Sequence, residues 1–143
     1  MYSFRKSKKG FTLIELMVVV VIIGILALLG LRLYLTQIAK SNNALIKANA
    51  GTVQTTIQAA LADEDPGTLA GRWATGDGNL IEDSGIHNPL TKKLQVAAPV
   101  RGTAAPGQVW VEWVSADSLF YINGCNAEDT GNVYDPEDLV AKY

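Results

Sequence analysis

The chain is poor in the residues from which reactive sites are usually built. It has one cysteine, Cys125, and one histidine, His87. A lone cysteine excludes an intrachain disulfide, so the C-terminal region must be held by packing, hydrogen bonds or metal. No Gly-rich phosphate loop, paired metal motif or nucleophile elbow occurs, so the chain is not expected to be an enzyme or to carry a cofactor. His87 in a polar loop reads as an exposed residue, and Cys125 beside Gly124 as a small buried one at a strand end. Proline is absent from Phe11 to Asp65, and from Phe11 to Leu31 the only charged side chain is Glu15. No internal repeat or low-complexity tract is present.

That scarcity of charge defines the N-terminal part. The apolar run from Phe11 to Leu31 has the roughly 20 residues that cross a bilayer as a helix. Arg5, Lys6, Lys8 and Lys9 precede it, and the positive-inside bias places such a cluster in the cytoplasm and the chain after Leu31 outside. An ordinary secretory signal would have a shorter apolar core and a small-residue cleavage site after it, and no such site follows Leu31 convincingly. A plain anchor would not need Glu15. A carboxylate in such a segment costs about 2.5 to 3.5 kcal/mol on insertion scales, so it needs a partner. No basic residue between Phe11 and Leu31 can supply one at helical spacing. If the bond after Gly10 is cut, Phe11 gains an α-amino group, and a neighbouring chain displaced along the axis could offer that amine to Glu15.

The run Lys9-Gly10-Phe11-Thr12-Leu13-Ile14-Glu15-Leu16-Met17-Val18-Val19-Val20-Val21-Ile22-Ile23-Gly24-Ile25-Leu26-Ala27 resembles the leader junction and N-terminal helix of bacterial type IV prepilins and of the wider pilin-like and pseudopilin superfamily. The resemblance implies cleavage by a prepilin peptidase after Gly10, N-methylation of Phe11 by the same enzyme, and assembly contacts between Glu15 and the Phe11 amine of an adjacent subunit. It also implies partners: further pilin subunits in a homopolymer, assembly machinery in the inner membrane, and the membrane itself before assembly. The precursor is expected in the inner membrane with its N-terminus in the cytoplasm, and the product in an extracellular filament. Many pilins close a C-terminal loop with a disulfide, which this chain cannot do. The family often places a helix-kinking Pro where this chain has Arg32; Gly24 and Gly30 still weaken the helix locally.

The rest of the chain reads as one small domain. Its 143 residues are 48% hydrophobic with a formal charge of −2. Residues 1–10 hold four of the 12 basic residues and none of the 14 acidic ones, which leaves eight basic against 14 acidic and a charge of −6. An acidic exported portion argues against nucleic acid as its main partner. From Arg32 to Ala62, Leu35, Ile38, Leu45, Val53, Ile57, Ala60 and Leu61 recur at spacings of an amphipathic helix. One helix from Phe11 to Ala62 is expected, with Gly51 its weakest interior point, ended by Asp63-Glu64-Asp65-Pro66-Gly67. A long, partly irregular connection follows to Lys93, with a turn at Asn88-Pro89.

Three strands are expected: Leu94–Val100, Gln108–Val114 and Ser118–Asn123, the second presenting Val109, Val111 and Trp113 on one face. The fold class is therefore α+β, a long N-terminal helix packed on a small antiparallel sheet, the pilin fold. Its parts are a leader 1–10, the helix 11–62 with its membrane and assembly segment 11–31, and a head 63–143. Trp110 and Glu112 fall on the outer sheet face, which the chain's own C-terminal segment can cover. That segment carries Glu128, Asp129, Asp135, Glu137 and Asp138. Glu128, Asp129 and Asp135 are weak calcium candidates, whereas a solvated acidic face with Asp135 capping a short helix at Pro136 explains the same residues. Lys92, Lys93 and Arg101 form the one basic cluster outside the leader; it could touch DNA or an acidic neighbour, or serve only as a solvated strand edge. The reading is a structural subunit of a type IV pilus, with a pseudopilin or minor pilin of a type II secretion or DNA-uptake system as the alternative.

Overall fold

The computed structural model describes residues 10–75, 80–96, 99, 101–128, 131–135 and 137–142. The chain falls into two compact units, one ending at Gln37 and the other beginning at Ile38.

Helix α1, Leu13–Leu61, is 49 residues long and runs unbroken through Gly24, Gly30 and Arg32. In the first unit it is apolar on every side, and large residues from Leu13 to Leu35 are exposed. A helix hydrophobic all round needs lipid or other protein about it. Its start is fixed by the sequence Thr12-Leu13-Ile14-Glu15.

In the second unit the helix changes character. Ile46, Ala50, Val53, Ile57 and Leu61 are buried at steps of three and four, so they form one stripe along the helix. Against this stripe pack Leu69, Ile81 and Ile86 and the sheet residues Val109, Val111, Phe120, Ile122 and Ala141. Polar side chains flanking the stripe bind other parts of the head on either side. Asn49 Nδ2 donates to the His87 carbonyl at 2.9 Å, Gln54 Nε2 to the Val140 carbonyl at 2.8 Å, and Asn43 Oδ1 accepts from the Ala127 N–H at 2.9 Å. Lys47 lies over the ring of Tyr134 at 5.3 Å, while the Tyr134 hydroxyl donates to the Lys47 carbonyl.

The stretch after α1 is more regular than its composition suggests. Helix α2, Pro66–Thr75, begins at once. Asp65 caps it, accepting from the Gly67 N–H at 2.9 Å, the Thr68 N–H at 3.4 Å and the Thr68 hydroxyl. Pro66 then occupies the first helical position, where no N–H is needed. The Pro that ends one helix therefore starts the next. A single turn, α3 (Leu80–Asp83), adds the buried Ile81. Asn88 organises the following loop as expected of Asn-Pro: its Oδ1 accepts from the Leu90 and Thr91 N–H groups and its Nδ2 donates to the Pro106 carbonyl.

The sheet is an antiparallel meander, β1 (Val109–Val114), β2 (Leu119–Gly124) and β3 (Leu139–Lys142), with β2 in the centre. Val109 pairs with Gly124 and Val114 with Leu119; Leu119 pairs in turn with Lys142 and Ile122 with Leu139. Two of the expected strands stand; of the other, no described residue lies in a strand. In the stretch 94–100, residues 97, 98 and 100 lie outside the described residues. Leu94 makes an isolated bridge to His87, the Gln95 N–H donates to the Ile86 carbonyl at 2.9 Å, and toward β1 it is the Gln95 side chain that bonds. The third strand comes instead from the C-terminal segment. Its attachment depends on Asn123, fully buried, whose Nδ2 donates to the Tyr134 carbonyl and to Asp138 Oδ1, both at 2.7 Å, and whose Oδ1 accepts from the Tyr134 N–H at 3.0 Å. Gly124 permits the close approach of β2 to α1, because a Cβ there would overlap Ile46 Cγ2.

Candidate functional site

The N-terminus of α1 is a capping box. The Glu15 N–H donates to Thr12 Oγ1 at 3.3 Å, and Glu15 Oε2 accepts from the Thr12 N–H at 3.2 Å and the Thr12 hydroxyl at 3.1 Å. Free N–H groups of a first helical turn carry partial positive charge, so a carboxylate at this position is favoured electrostatically as well. The expectation that Glu15 lacks a side-chain partner in its own chain needs correction, because Thr12 is that partner. The signal was in the sequence: Thr-x-x-Glu ahead of an apolar run is the pattern of a capping box, in which a neutral hydroxyl and a backbone N–H take the place of a basic partner.

Gly10 and Phe11 precede the helix and are exposed, Phe11 at 87%. The Gly10–Phe11 bond thus stands in non-helical backbone ahead of the first turn. Among the described residues both hydrogen bonds to the Glu15 carboxylate land on Oε2, which leaves Oε1 as the face for a second donor. By length and composition the stretch that follows is able to cross a membrane.

The other candidates are less concentrated. Glu128 and Asp135 are exposed, and Asp129 and Pro136 lie outside the described residues. Among the described residues no three His, Cys, Asp or Glu side chains converge as metal ligands would. Asp138 separates from the acidic tail: it pairs with Arg101 and accepts from Asn123. Arg101 also approaches Glu112 at 3.9 Å and lies over the ring of Trp110 at 5.0 Å. It therefore belongs to the sheet face rather than to a basic patch with Lys92 and Lys93. Trp110, expected on the outer face, is buried there by the chain itself, with its Nε1 donating to Asn132 Oδ1 at 3.2 Å. Cys125 is buried near the Ala104 carbonyl, and His87 is exposed with Nδ1 at 2.9 Å from the Gly85 carbonyl.

Residues 5–31 match the prokaryotic N-terminal methylation motif. The chain is 33% identical over 107 residues to the type IV major fimbrial protein FimA of Dichelobacter nodosus, covering 70% of this chain and 69% of that one. It is 38% identical over 102 residues to the type IV major alpha-pilin of Moraxella bovis, covering 71% and 64%. A shorter match, 46% identical over 56 residues, links it to the fimbrial protein EcpB of Eikenella corrodens, covering 39% and 35%. No solved structure matches the chain. A long N-terminal helix on a three-stranded antiparallel sheet, with a methylation motif at the helix start, is the architecture of a pilin. The chain belongs to the type IV pilin family.

Proposed function

We propose that the chain is a structural subunit of a type IV pilus that polymerises through the first half of α1 after cleavage between Gly10 and Phe11. The observation that carries this reading is the exposed apolar length of α1, interrupted only by Glu15 and led by a methylation motif. Two of the named relatives are a major fimbrial protein and a major pilin, which favours a pilus subunit over a pseudopilin or minor pilin and gives no support to an enzymatic role.

In this reading a prepilin peptidase cuts the exposed Gly10–Phe11 bond and N-methylates Phe11. The membrane-anchored precursor lies with its basic leader in the cytoplasm until assembly machinery transfers it to the filament. Glu15 then meets the Phe11 amine of a neighbouring subunit through the carboxylate face that Thr12 leaves open. Apolar helix contacts supply most of the association by close packing of helix on helix, because a surface that leaves lipid gains packing contacts and releases no water. The ion pair selects the register, because only one stagger brings amine and carboxylate level.

The test is to shear surface filaments from cells expressing the chain, and to measure subunit mass and N-terminal sequence. The expected result is filaments whose principal protein begins at N-methylated Phe11. Filaments in which residues 1–10 are retained, or cells with none containing this chain, would overturn the reading.

A further inference from the structure

We infer that Gln54 and Gln95 are specificity determinants of assembly, closing the two edges of the head's sheet so that copies associate through α1 and not by strand pairing. The inference rests on the pilus-subunit reading above for its biological meaning, and on the sheet's own geometry for its substance.

A three-stranded sheet has two exposed edges, and unpaired N–H and C=O groups there recruit strands from other chains. The hazard rises where many copies are held side by side. Register shows which backbone groups face outward. The Cys125 N–H donates to the Gln108 carbonyl at 2.7 Å, so even-numbered residues of β1 turn toward β2 and odd-numbered ones turn away. Val109 therefore points its N–H and C=O out of the sheet, where the buried Gln95 side chain takes both. Val109 N–H donates to Gln95 Oε1 at 2.9 Å, and Gln95 Nε2 donates to the Val109 carbonyl. A primary amide offers the hydrogen-bonding pair of one peptide group and then stops, so the ladder is completed without being extended. One residue pair further on, the Val111 N–H donates to the carbonyl of Pro99, a residue with no N–H to pass the ladder on.

The far edge is closed by one such bond, to a carbonyl. Val109 opposite Gly124 and Ile122 opposite Leu139 place Leu139 and Ala141 in the inward phase of β3 and Val140 in the outward phase. The Val140 carbonyl accepts from Gln54 Nε2, a side chain of α1. The edge strand also ends on the exposed Lys142, a charge of the type that discourages edge pairing.

The experiment uses the full chain solubilised in detergent, with Gln95→Leu, Gln54→Leu and the double variant, and with Gln95→Glu as the control. Leu keeps the bulk and abandons the backbone groups. Glu loses the donor and adds a charge that opposes pairing. Oligomer mass, the infrared signature of intermolecular β-structure and the melting temperature are read for each. The expected result is that the Leu variants form β-rich oligomers at about tenfold lower concentration than wild type, the order of effect of abandoning one or two backbone hydrogen bonds. Gln95→Glu is expected to melt at least as early as Gln95→Leu and to stay monodisperse. If association instead follows loss of stability across all variants, Gln95→Glu included, the glutamines are merely structural and the inference fails. It fails equally if a folded Gln54→Leu variant, at the half-buried and more tolerant position, stays monodisperse. Wild-type cells without filaments would refute the pilus-subunit reading and leave the detergent result untouched.

Discussion

Glu15 is held in two ways, one present in the single chain and one expected in the filament. In the single chain Thr12 shares the carboxylate, which lowers the cost of carrying it into the membrane without neutralising its charge. Glu15→Ala is therefore expected to insert at least as well as wild type, to be cut after Gly10, and to assemble poorly. Membrane fractionation, N-terminal mass and filament counts check the three parts separately. Thr12→Val removes the cap and leaves the charge. It is expected to cost about 1 kcal/mol of helix N-terminal stability and to reduce filament yield less than Glu15→Ala does. Two glycines separate in the opposite way. At Gly124 an added methyl meets Ile46, so Gly124→Ala is expected to destabilise the head by about 1 to 3 kcal/mol. At Gly51, inside α1, an added Cβ meets nothing within 4 Å, so Gly51→Ala is expected to stabilise it by about 0.5 to 1 kcal/mol. Thermal unfolding of the two proteins side by side tests the contrast. The sequence marks Gly51 as a weak point in a helix, because helix propensity is local. Nothing local marks Gly124, whose role comes from Ile46 78 positions away.

Among the elements, α1, β1 and β2 were legible because each has a period. Val109 and Val111 alternate with outward neighbours, Phe120 and Ile122 do the same, and the stripe of α1 repeats at three and four. Strand β3 was not legible, because Leu139 to Lys142 is too short for alternation to show and sits among acidic residues. The stretch 94–100 misled for the complementary reason: its apolar residues suit a strand, and its role is carried by the Gln95 amide and the Pro99 carbonyl. Helix α2 was hidden because Asp65-Pro66 serves as stop and start together. Its cap titrates. The Thr68 hydroxyl, with the Gly67 and Thr68 N–H groups, holds the Asp65 carboxyl below its ordinary value of 3.8. The cap's contribution is thus complete above that ordinary value and is lost as pH falls through the lowered one. Hydrogen-exchange protection at Gly67 and Thr68, corrected for intrinsic rates, is expected to decline below pH 3.8. Asp65→Asn, which caps without titrating, is expected to remain flat over the same range.

For the molecule as a whole, the acidic tail bears on whether calcium stabilises the head. Asp138 is committed to Arg101 and Asn123, while Glu128 and Asp135 stand exposed. The melting temperature of the detergent-solubilised chain is expected to be indifferent to millimolar calcium; a ligand bound only by the folded state would raise it by mass action. The candidate N-terminal site is a single stretch of sequence, in which the apolar run, Gly10, Phe11 and Glu15 lie together. Arg101, Glu112 and Asp138 come together only through the sheet, and no spacing announces them.

The side chains of Asn43, Asn49 and Gln54 bind parts of the head on both sides of one stretch of helix. A pull directed along that stretch loads them, and the apolar stripe between them, at the same moment. A pull on the C-terminus would meet the attachments of β3 one after another. Hydrogen bonds that are weak singly resist far more when strained together than when opened in turn. The head is thus expected to resist a pull through its own helix better than a pull through its tail.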